Sequence, residues 1–200
     1  MKMTAGGFAI IRLKFGSLSQ DAVDNINLIV ETCEKYKLSY PQTAYVLATV
    51  AWETARTFKP IEEYGKGKGR KYGTWYTNTK GVKYGIAGSG GSTYLYSDYP
   101  HLYYGRGHTQ NTWLDNYKYI KQRTGVDVVN NPNLLLDSKL SAEVTVLAMK
   151  EGWYTSKKLS DYINDNKKDY VGARRIVNGT DKAKEIADIA VVMERALRSY

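Results

Sequence analysis

The sequence predicts a mainly α-helical protein with one globular domain over residues 1 to 200, and two observations support this. Apolar residues recur at the spacing of one buried helix face in four separate segments. The 200 residues are 42% hydrophobic and 24% charged, a composition that can bury a sizeable core. We therefore expect packed amphipathic helices, arranged as two lobes around a cleft.

The four apolar stripes define the expected core helices. In chain order they are Val23, Ile26, Val30 and Cys33; Ala44, Leu47, Ala48 and Ala51; Leu140, Val144, Leu147 and Ala148; and Ile186, Ala190, Met193 and Leu197. The second stripe predicts a helix over residues 41 to 56, because Pro41 suits a first helical turn and Pro60 forces the chain into a loop. Cys33 is the single cysteine, so no intrachain disulfide can form and we expect it to pack as a small hydrophobe.

A carboxylate follows directly on the buried face of the second predicted helix. This residue is Glu53, in A-W-E-T-A. Burial disfavours the charged form of a carboxyl group, which raises its pKa and lets it hold a proton for donation to a leaving oxygen. Glu53 is therefore the candidate general acid. The alternative is a glutamate that simply ends a helix in solvent.

A second acidic position follows in F-K-P-I-E-E-Y-G, residues 58 to 65. Glycoside hydrolysis typically needs two carboxyl groups, one to protonate the leaving oxygen and one to activate water or attack the sugar. Glu62 and Glu63 both qualify. The alternative is an exposed acidic pair that balances nearby lysines.

Residues 105 to 117 read G-R-G-H-T-Q-N-T-W-L-D-N-Y and suit a cleft floor. The two glycines allow the backbone to approach a ligand closely, and neutral side chains can bind sugar hydroxyls, N-acetyl groups and a water. Those side chains are Gln110, Thr112 and Asn116. The competing interpretation is a glycine turn into an ordinary helix over residues 111 to 122, capped by Asn111 or Thr112.

Because of these residues, the chain resembles the family 19 glycoside hydrolases, in particular their short branch of phage-type endolysins and chitinase-like lysozymes. The resemblance rests on five motifs in family order that span nearly the whole chain. They are F-G-S-L-S-Q at 15 to 20, G-R-G-x-x-Q-x-T-x-x-x-N-Y at 105 to 117, N-N-P-N-L-L-L at 130 to 136, E-G-W-Y-T at 151 to 155 and A-R-R-I-V-N-G at 173 to 179. The resemblance implies a lysozyme-like, family 19 chitinase-like helical fold.

The resemblance also implies roles for individual residues. Glu53 occupies the place of the general acid. Glu63 occupies the place of the group that activates water, with Glu62 as the second choice. Thr112 occupies the place of the residue that holds this water. Gln110 and Asn116 match cleft residues that contact substrate, and Arg175 and Asn178 match a C-terminal segment that supports the cleft. Tyr104, Arg106 and His108, in or beside the signature, are further candidates for substrate binding. For His108 the alternative is a plain surface-loop histidine. The family inverts the anomeric configuration by single displacement, which needs room for a water between two carboxyl groups.

Two departures from the family pattern stand out. Relatives usually carry His immediately before the acid, where this chain has Trp52, so we expect burial to be the main influence on Glu53. The stretch from residue 65 to 97 is longer and richer in Gly, Lys and Tyr than a minimal member requires. Its G-S-G-G at 88 to 91 predicts a flexible loop or short hairpins.

The net charge of +9 and the pI near 9.4 indicate an anionic partner. Basic residues are densest from Lys66 to Lys83, where they alternate with Tyr and Trp. Such aromatic side chains can stack on the bases of a single strand or on sugar rings. We expect peptidoglycan as the partner, with no nucleic acid bound and a monomeric protein.

The sequence carries no signal for a metal or cofactor. His101 and His108 are the only histidines, and neither an H-E-x-x-H motif nor a Cys/His cluster exists. The charges at Arg12 and Lys14 interrupt the first apolar run, so no signal peptide and no stable membrane insertion are expected. The expected location is the cytoplasm of the producing cell, with action on the cell wall after release.

The leading hypothesis is a peptidoglycan-degrading endolysin, an N-acetylmuramidase that cleaves β-1,4 bonds by inverting acid and base catalysis. A chitinase that cleaves N-acetylglucosamine polymers is the nearest alternative. A lytic transglycosylase would need only one glutamate. A non-catalytic module that binds glycan or nucleic acid is the competing class.

Overall fold

The computed structural model describes residues 1 to 200, which form seven α-helices and seven short β-strands. The helices are α1 (Ala5–Phe15), α2 (Gln20–Lys35), α3 (Tyr40–Glu53), α4 (Leu114–Thr124), α5 (Ser138–Glu151), α6 (Leu159–Tyr162) and α7 (Ala183–Leu197). The strands are β1 (Ile61–Glu62), β2 (Tyr76–Thr77), β3 (Lys83–Ile86), β4 (Thr93–Leu95), β5 (Arg106–Gly107), β6 (Ile163–Asn164) and β7 (Lys167–Lys168). The predicted mainly helical class is confirmed. None of the helices has the length and apolar character needed to cross a membrane.

The chain divides into two compact units. The helical unit comprises Met1–Lys59 and Ala142–Tyr200, and the central unit comprises Pro60–Ser141. In the helical unit α3 packs chiefly against α7, and α1 packs against α7 as well. The four apolar residues predicted for α3 are completely buried there, because a helix with neighbours on several sides hides more than one face.

The other predicted stripes are buried to different extents. Ile26, Val30 and Cys33 of α2 lie in the core, as do all four predicted residues of α7. On α5 the prediction is partly wrong, since Val144 and Ala148 are buried but Leu140 and Leu147 are only half-buried. The residues of α5 in the core of the helical unit are Ala142, Val146 and Met149.

Helix α3 starts as predicted but ends early. Ser39 and Gln42 form a reciprocal capping box, with Pro41 in the first turn. The helix stops at Glu53 instead of residue 56, because Ala55 and Arg56 adopt left-handed conformations, with φ of 49° and 69°. Phe58 is then completely buried and packs edge-on against Phe15, so the core draws the chain away from the helix axis.

The central unit contains two small antiparallel sheets. Strands β2, β3 and β4 form one sheet in that order, with Tyr84 opposite both Tyr76 and Leu95. Residues 88 to 91 form the turn between β3 and β4, which agrees with the predicted short hairpin. Strands β1 and β5 form the other sheet, which sets Glu62 opposite Arg106.

The helix predicted over residues 111 to 122 is displaced. It runs from Leu114 to Thr124, and neither Asn111 nor Thr112 caps it. Asn111 instead pairs with Arg106 through two backbone hydrogen bonds of 3.1 and 2.9 Å. The residue before the helix is Trp113, with a φ of 72°. The glycine-rich signature is therefore a tight turn closed by a β-bridge, and the helix begins only after that turn.

Candidate functional site

Glu53 is the last residue of α3 and lies partly buried in the helical unit. Its side chain is 22% exposed, and its Oε1 accepts a hydrogen bond of 3.3 Å from Nη1 of Arg174, which is 5% exposed. Burial raises the pKa of Glu53, and the nearby Arg174 guanidinium opposes that rise. The burial predicted from the apolar stripe is present, and the carboxyl group keeps its proton to a higher pH than an exposed glutamate does.

Arg174 is the partner that sequence reasoning missed. It lies in the 3₁₀ helix Gly172–Ile176, and its Nε donates to the carbonyl oxygen of Asp181 at 2.9 Å. The candidate chosen from the motif was its neighbour Arg175, which is exposed and contributes only its carbonyl oxygen, to the Thr155 hydroxyl at 2.6 Å. The sequence A-R-R contains no periodic signal that distinguishes the two arginines.

Asn178 and Trp52 also belong to the helical unit. Asn178 is exposed, and its Oδ1 accepts from the backbone N–H of Gly179. Trp52, the residue before Glu53, is 37% exposed. Together with Ala51, Ala55, Arg56 and Ile189 it lines a small cavity of about 240 Å³.

In the central unit the two neighbouring glutamates have different surroundings. Glu63 is held at both carboxylate oxygens, by the Tyr72 hydroxyl at 2.6 Å and by the backbone N–H of Gly105 at 3.0 Å. Glu62 is held at one oxygen, by the Tyr104 hydroxyl at 2.9 Å, and its Oε2 has no hydrogen-bond partner. Both side chains are half-buried. Glu62 thus has a free carboxylate oxygen, whereas Glu63 has none.

The signature turn is shaped by glycines at close contacts. A Cβ on Gly105 would lie 2.7 Å from Oε1 of Gln110 and 3.2 Å from Cβ of Glu63, so any other residue would displace the Gln110 side chain. Gly107 has a φ of 104°, which disfavours other residues. Gln110 has a φ of 54°, and its Nε2 donates to the carbonyl oxygens of Ile61 and Gly107. The Gln110 amide therefore ties the turn to β1.

Arg106 is a buried residue of this turn, 5% exposed. Its guanidinium donates to the Asn133 side chain at 3.0 Å, to the Leu102 carbonyl oxygen at 3.1 Å and to the Tyr117 hydroxyl at 3.1 Å. It also lies over the Tyr104 ring, 3.7 Å from the ring centroid. These contacts satisfy the buried cation and indicate that Arg106 supports the turn from within.

His108 is completely buried. Its backbone N–H donates to Oγ of Ser141 at 2.8 Å, and its Nδ1 lies 2.7 Å from the same oxygen. The surface-loop interpretation of His108 is therefore wrong, because the turn folds this side chain inward.

Thr112 lies two residues before α4, and Asn116 lies in the first turn of that helix. Thr112 is half-buried and its hydroxyl has no hydrogen-bond partner within the protein, while its carbonyl oxygen accepts from Nδ2 of Asn116 at 2.8 Å. Asn116 is exposed and lines a polar cavity of about 310 Å³ with Trp113, Asp115 and residues of the turn over 88 to 92. The free hydroxyl of Thr112 can hold a water, and the cavity can take a polar group.

Neither unit offers an obvious metal centre. No group of three or more His, Cys, Asp or Glu side chains lies close enough together to hold a metal ion.

Solved structures of family 19 chitinases resemble this chain over nearly its whole length. A bacterial family 19 chitinase shares 20% sequence identity over 96% of this chain and 94% of its own, with a TM-score of 0.53. Chitinase C from Streptomyces griseus shares 16% over 97% of this chain and 78% of its own, with a TM-score of 0.61. A Glu-to-Gln mutant of chitinase C shares 15% over 96% and 92%, with a TM-score of 0.55.

No protein-family model matches the sequence, and the comparison with curated proteins also gives no match. At 15 to 20% identity the structural likeness establishes the fold alone. The predicted family 19 chitinase-like fold is thereby confirmed. The assignment to the endolysin branch stays a prediction.

Proposed function

We propose that this protein is a glycosidase that hydrolyses the glycan strand of peptidoglycan, acting as an N-acetylmuramidase. The observation that carries the proposal is Glu53, a partly buried carboxyl group with a raised pKa at the end of α3. The fold that holds it is shared with family 19 chitinases, which makes glycan hydrolysis the best-supported chemistry for this carboxyl group.

Glu53 serves as the general acid in this proposal. Burial raises its pKa and so favours the protonated form, which can donate to the leaving oxygen of the glycosidic bond. Once the proton has left, the Arg174 guanidinium at 3.3 Å stabilises the resulting carboxylate. The two opposing influences suit a group that must change its charge during one turnover.

We propose Glu62 rather than Glu63 as the general base. A base must accept a proton from water on a free oxygen, and Oε2 of Glu62 has no partner. Both oxygens of Glu63 already accept hydrogen bonds, so Glu63 anchors the signature turn. The Thr112 hydroxyl is proposed to position the attacking water. Direct attack by this water inverts the anomeric configuration.

Peptidoglycan is proposed as the substrate because the protein carries a net charge of +9, and the peptidoglycan strand is anionic. The resemblance of its motifs to the endolysin branch also supports this choice. Chitin is the second candidate, which the chitinase neighbours favour.

The test is mass spectrometry of purified peptidoglycan after digestion with wild type, Glu53→Gln and the control Glu31→Gln. Glu31 is exposed on α2, so its variant makes the same Glu-to-Gln change away from the site. We expect new reducing N-acetylmuramic acid ends with wild type and Glu31→Gln, and a loss of at least about a thousandfold with Glu53→Gln.

Other products would contradict specific parts of the proposal. Anhydro ends would indicate transglycosylase chemistry, and reducing N-acetylglucosamine ends a glucosaminidase. Cleavage of chitin oligomers without cleavage of peptidoglycan would establish the chitinase alternative. Wild-type turnover by Glu53→Gln would refute the role of the acid.

A further inference from the structure

A long segment of the central unit takes no part in the proposed reaction apart from Tyr72, which holds Glu63. From residue 64 to residue 97 the chain contains six basic residues and no acidic residue. The six are Lys66, Lys68, Arg70, Lys71, Lys80 and Lys83. This basic segment, residues 64 to 97, therefore supplies six of the nine net positive charges of the protein.

All six cations are exposed and none forms a salt bridge. Elsewhere some lysines pair with carboxylates, as Lys35 does with Glu143 at 3.2 Å and Lys168 with Glu194 at 2.9 Å. Six unpaired like charges in one segment repel each other, and the repulsion is relieved when an anion binds.

The first four cations lie on a closely packed loop. The 3₁₀ helices Tyr64–Gly67 and Lys71–Gly73 approach so closely that a Cβ on Gly73 would lie 2.0 Å from the carbonyl oxygen of Gly67. The backbone N–H of Arg70 donates to the same carbonyl at 2.9 Å, and that of Gly73 donates to Arg70 at 3.0 Å. The backbone that carries these side chains is thus held in place before any ligand binds, which reduces the entropy lost on binding.

Five of the seven aromatic side chains of the basic segment are engaged with one another, whereas Tyr72 packs edge-on against Trp113 and Tyr64 is fully exposed. Tyr76 and Tyr84 stack with ring centroids 5.6 Å apart, and Trp75 packs edge-on against Tyr94 and Tyr96. The ammonium group of Lys83 lies over Trp75 and Tyr96, at 5.3 and 4.1 Å from the ring centroids. Single-stranded nucleic acids bind by stacking successive bases on available rings. Since these rings are partly covered, contacts between cations and separate anionic groups suit this surface better.

We propose that the basic segment is a second, non-catalytic binding surface for the carboxylates of the peptide stems that peptidoglycan carries. The inference rests on the proposed function and gives it a basis for substrate choice. Chitin is a neutral polymer, so it offers no anionic group to a surface that has six cations and no acidic residue. On peptidoglycan the stem carboxylates recur along the strand and hold the enzyme near the bonds that it cleaves.

The test compares two sets of four Lys→Gln substitutions in a Glu53→Gln background, which prevents cleavage during binding. The test set is Lys66, Lys68, Lys71 and Lys80. The control set is Lys2, Lys14, Lys157 and Lys184, which are exposed lysines of the helical unit without salt bridges. Both sets remove four charges, so an effect of net charge alone is the same in each.

Binding is measured at low ionic strength on insoluble peptidoglycan stripped of attached anionic polymers. We expect the test set to lose about tenfold or more in affinity, from four exposed ion pairs, and the control set to change by about twofold or less. The affinity of the unsubstituted binder should fall steeply with added salt. Amidation of the stem carboxylates should remove the difference between the two sets.

Equal losses of affinity in the test set and the control set, or a difference in affinity between them that survives amidation, would overturn the proposal. So would binding that requires the attached phosphate polymers, or a charge-dependent affinity for single-stranded DNA alone. Failure of the proposed function is seen separately, since the ends produced by wild type are measured without reference to these lysines. Loss of binding by the test set with no cleavage by wild type would support the surface and refute the hydrolase.

Discussion

Replacement of Arg174 by Gln should move the pH profile of the enzyme to higher pH. Burial raises the pKa of Glu53, and the Arg174 guanidinium at 3.3 Å from its Oε1 opposes the rise. Without the cation the pKa rises further. A general acid acts in its protonated form, so activity is lost as the pH rises through this pKa. The variant should therefore lose activity at a higher pH than wild type does.

The magnitude follows from the separation of the two charges. At 3.3 Å two unit charges interact by about 5 kcal/mol at an effective dielectric constant of about 20, and by about 1 kcal/mol in bulk water. Water reaches the 22% of the Glu53 side chain that is exposed, so the screened end of this range applies. One pH unit corresponds to about 1.4 kcal/mol, and we expect the high-pH limb to move by about one unit.

The assay is the initial rate of cleavage of a soluble glycan fragment across the pH range, with Arg175→Gln as the control. Arg175 is adjacent and exposed, and its replacement removes the same charge. Its high-pH limb should stay at the wild-type position. An equal displacement in both variants would show that net charge alone is responsible. A displacement of the Arg174→Gln limb to lower pH would refute the reasoning about Glu53.

Two further predictions concern the central unit. Glu62→Gln should abolish turnover and leave the free energy of unfolding nearly unchanged. Glu63→Gln should retain part of the turnover and lose about 1 to 3 kcal/mol of unfolding free energy, because it weakens two hydrogen bonds to a carboxylate. If Glu63→Gln abolishes turnover and Glu62→Gln loses stability instead, the roles of the two residues are exchanged. Arg106→Met should lower the free energy of unfolding in urea by about 1 to 3 kcal/mol, because the buried Tyr117 hydroxyl, the Leu102 carbonyl oxygen and the Asn133 side chain lose their donor. Arg70 is exposed, and Arg70→Met serves as the control. A similar loss of unfolding free energy in this variant would show that Arg106 does not support the turn more than an exposed arginine does.

Much of the fold followed from local patterns. The stripes of α2, α3 and α7 lie in the core because their 3.6-residue periodicity places the apolar side chains on one face. The boundaries that failed have tertiary causes. Burial of Phe58 ends α3 early, and the bridge between Arg106 and Asn111 delays the start of α4.

The candidate site was predictable in part. Glu53 could be chosen because a carboxylate on an apolar helix face is expected to be buried, and its raised pKa has that cause. The choice between Arg174 and Arg175 needed coordinates, since adjacent residues of a short 3₁₀ helix point in different directions and no local pattern indicates which one meets α3. The same holds for His108, for which the sequence left a cleft position and a surface loop equally open and which the structure buries completely.

The sequence by itself determined the helical class, the acidic position that follows the second stripe, and the concentration of positive charge between residues 64 and 97, where no acidic residue occurs. These properties depend on composition and spacing along the chain. Only the tertiary structure decided that Glu62 keeps a free oxygen while Glu63 is held at both, and that Arg174 opposes the effect of burial on Glu53. Such properties arise from hydrogen bonds and charges between residues distant in sequence, which no local pattern encodes.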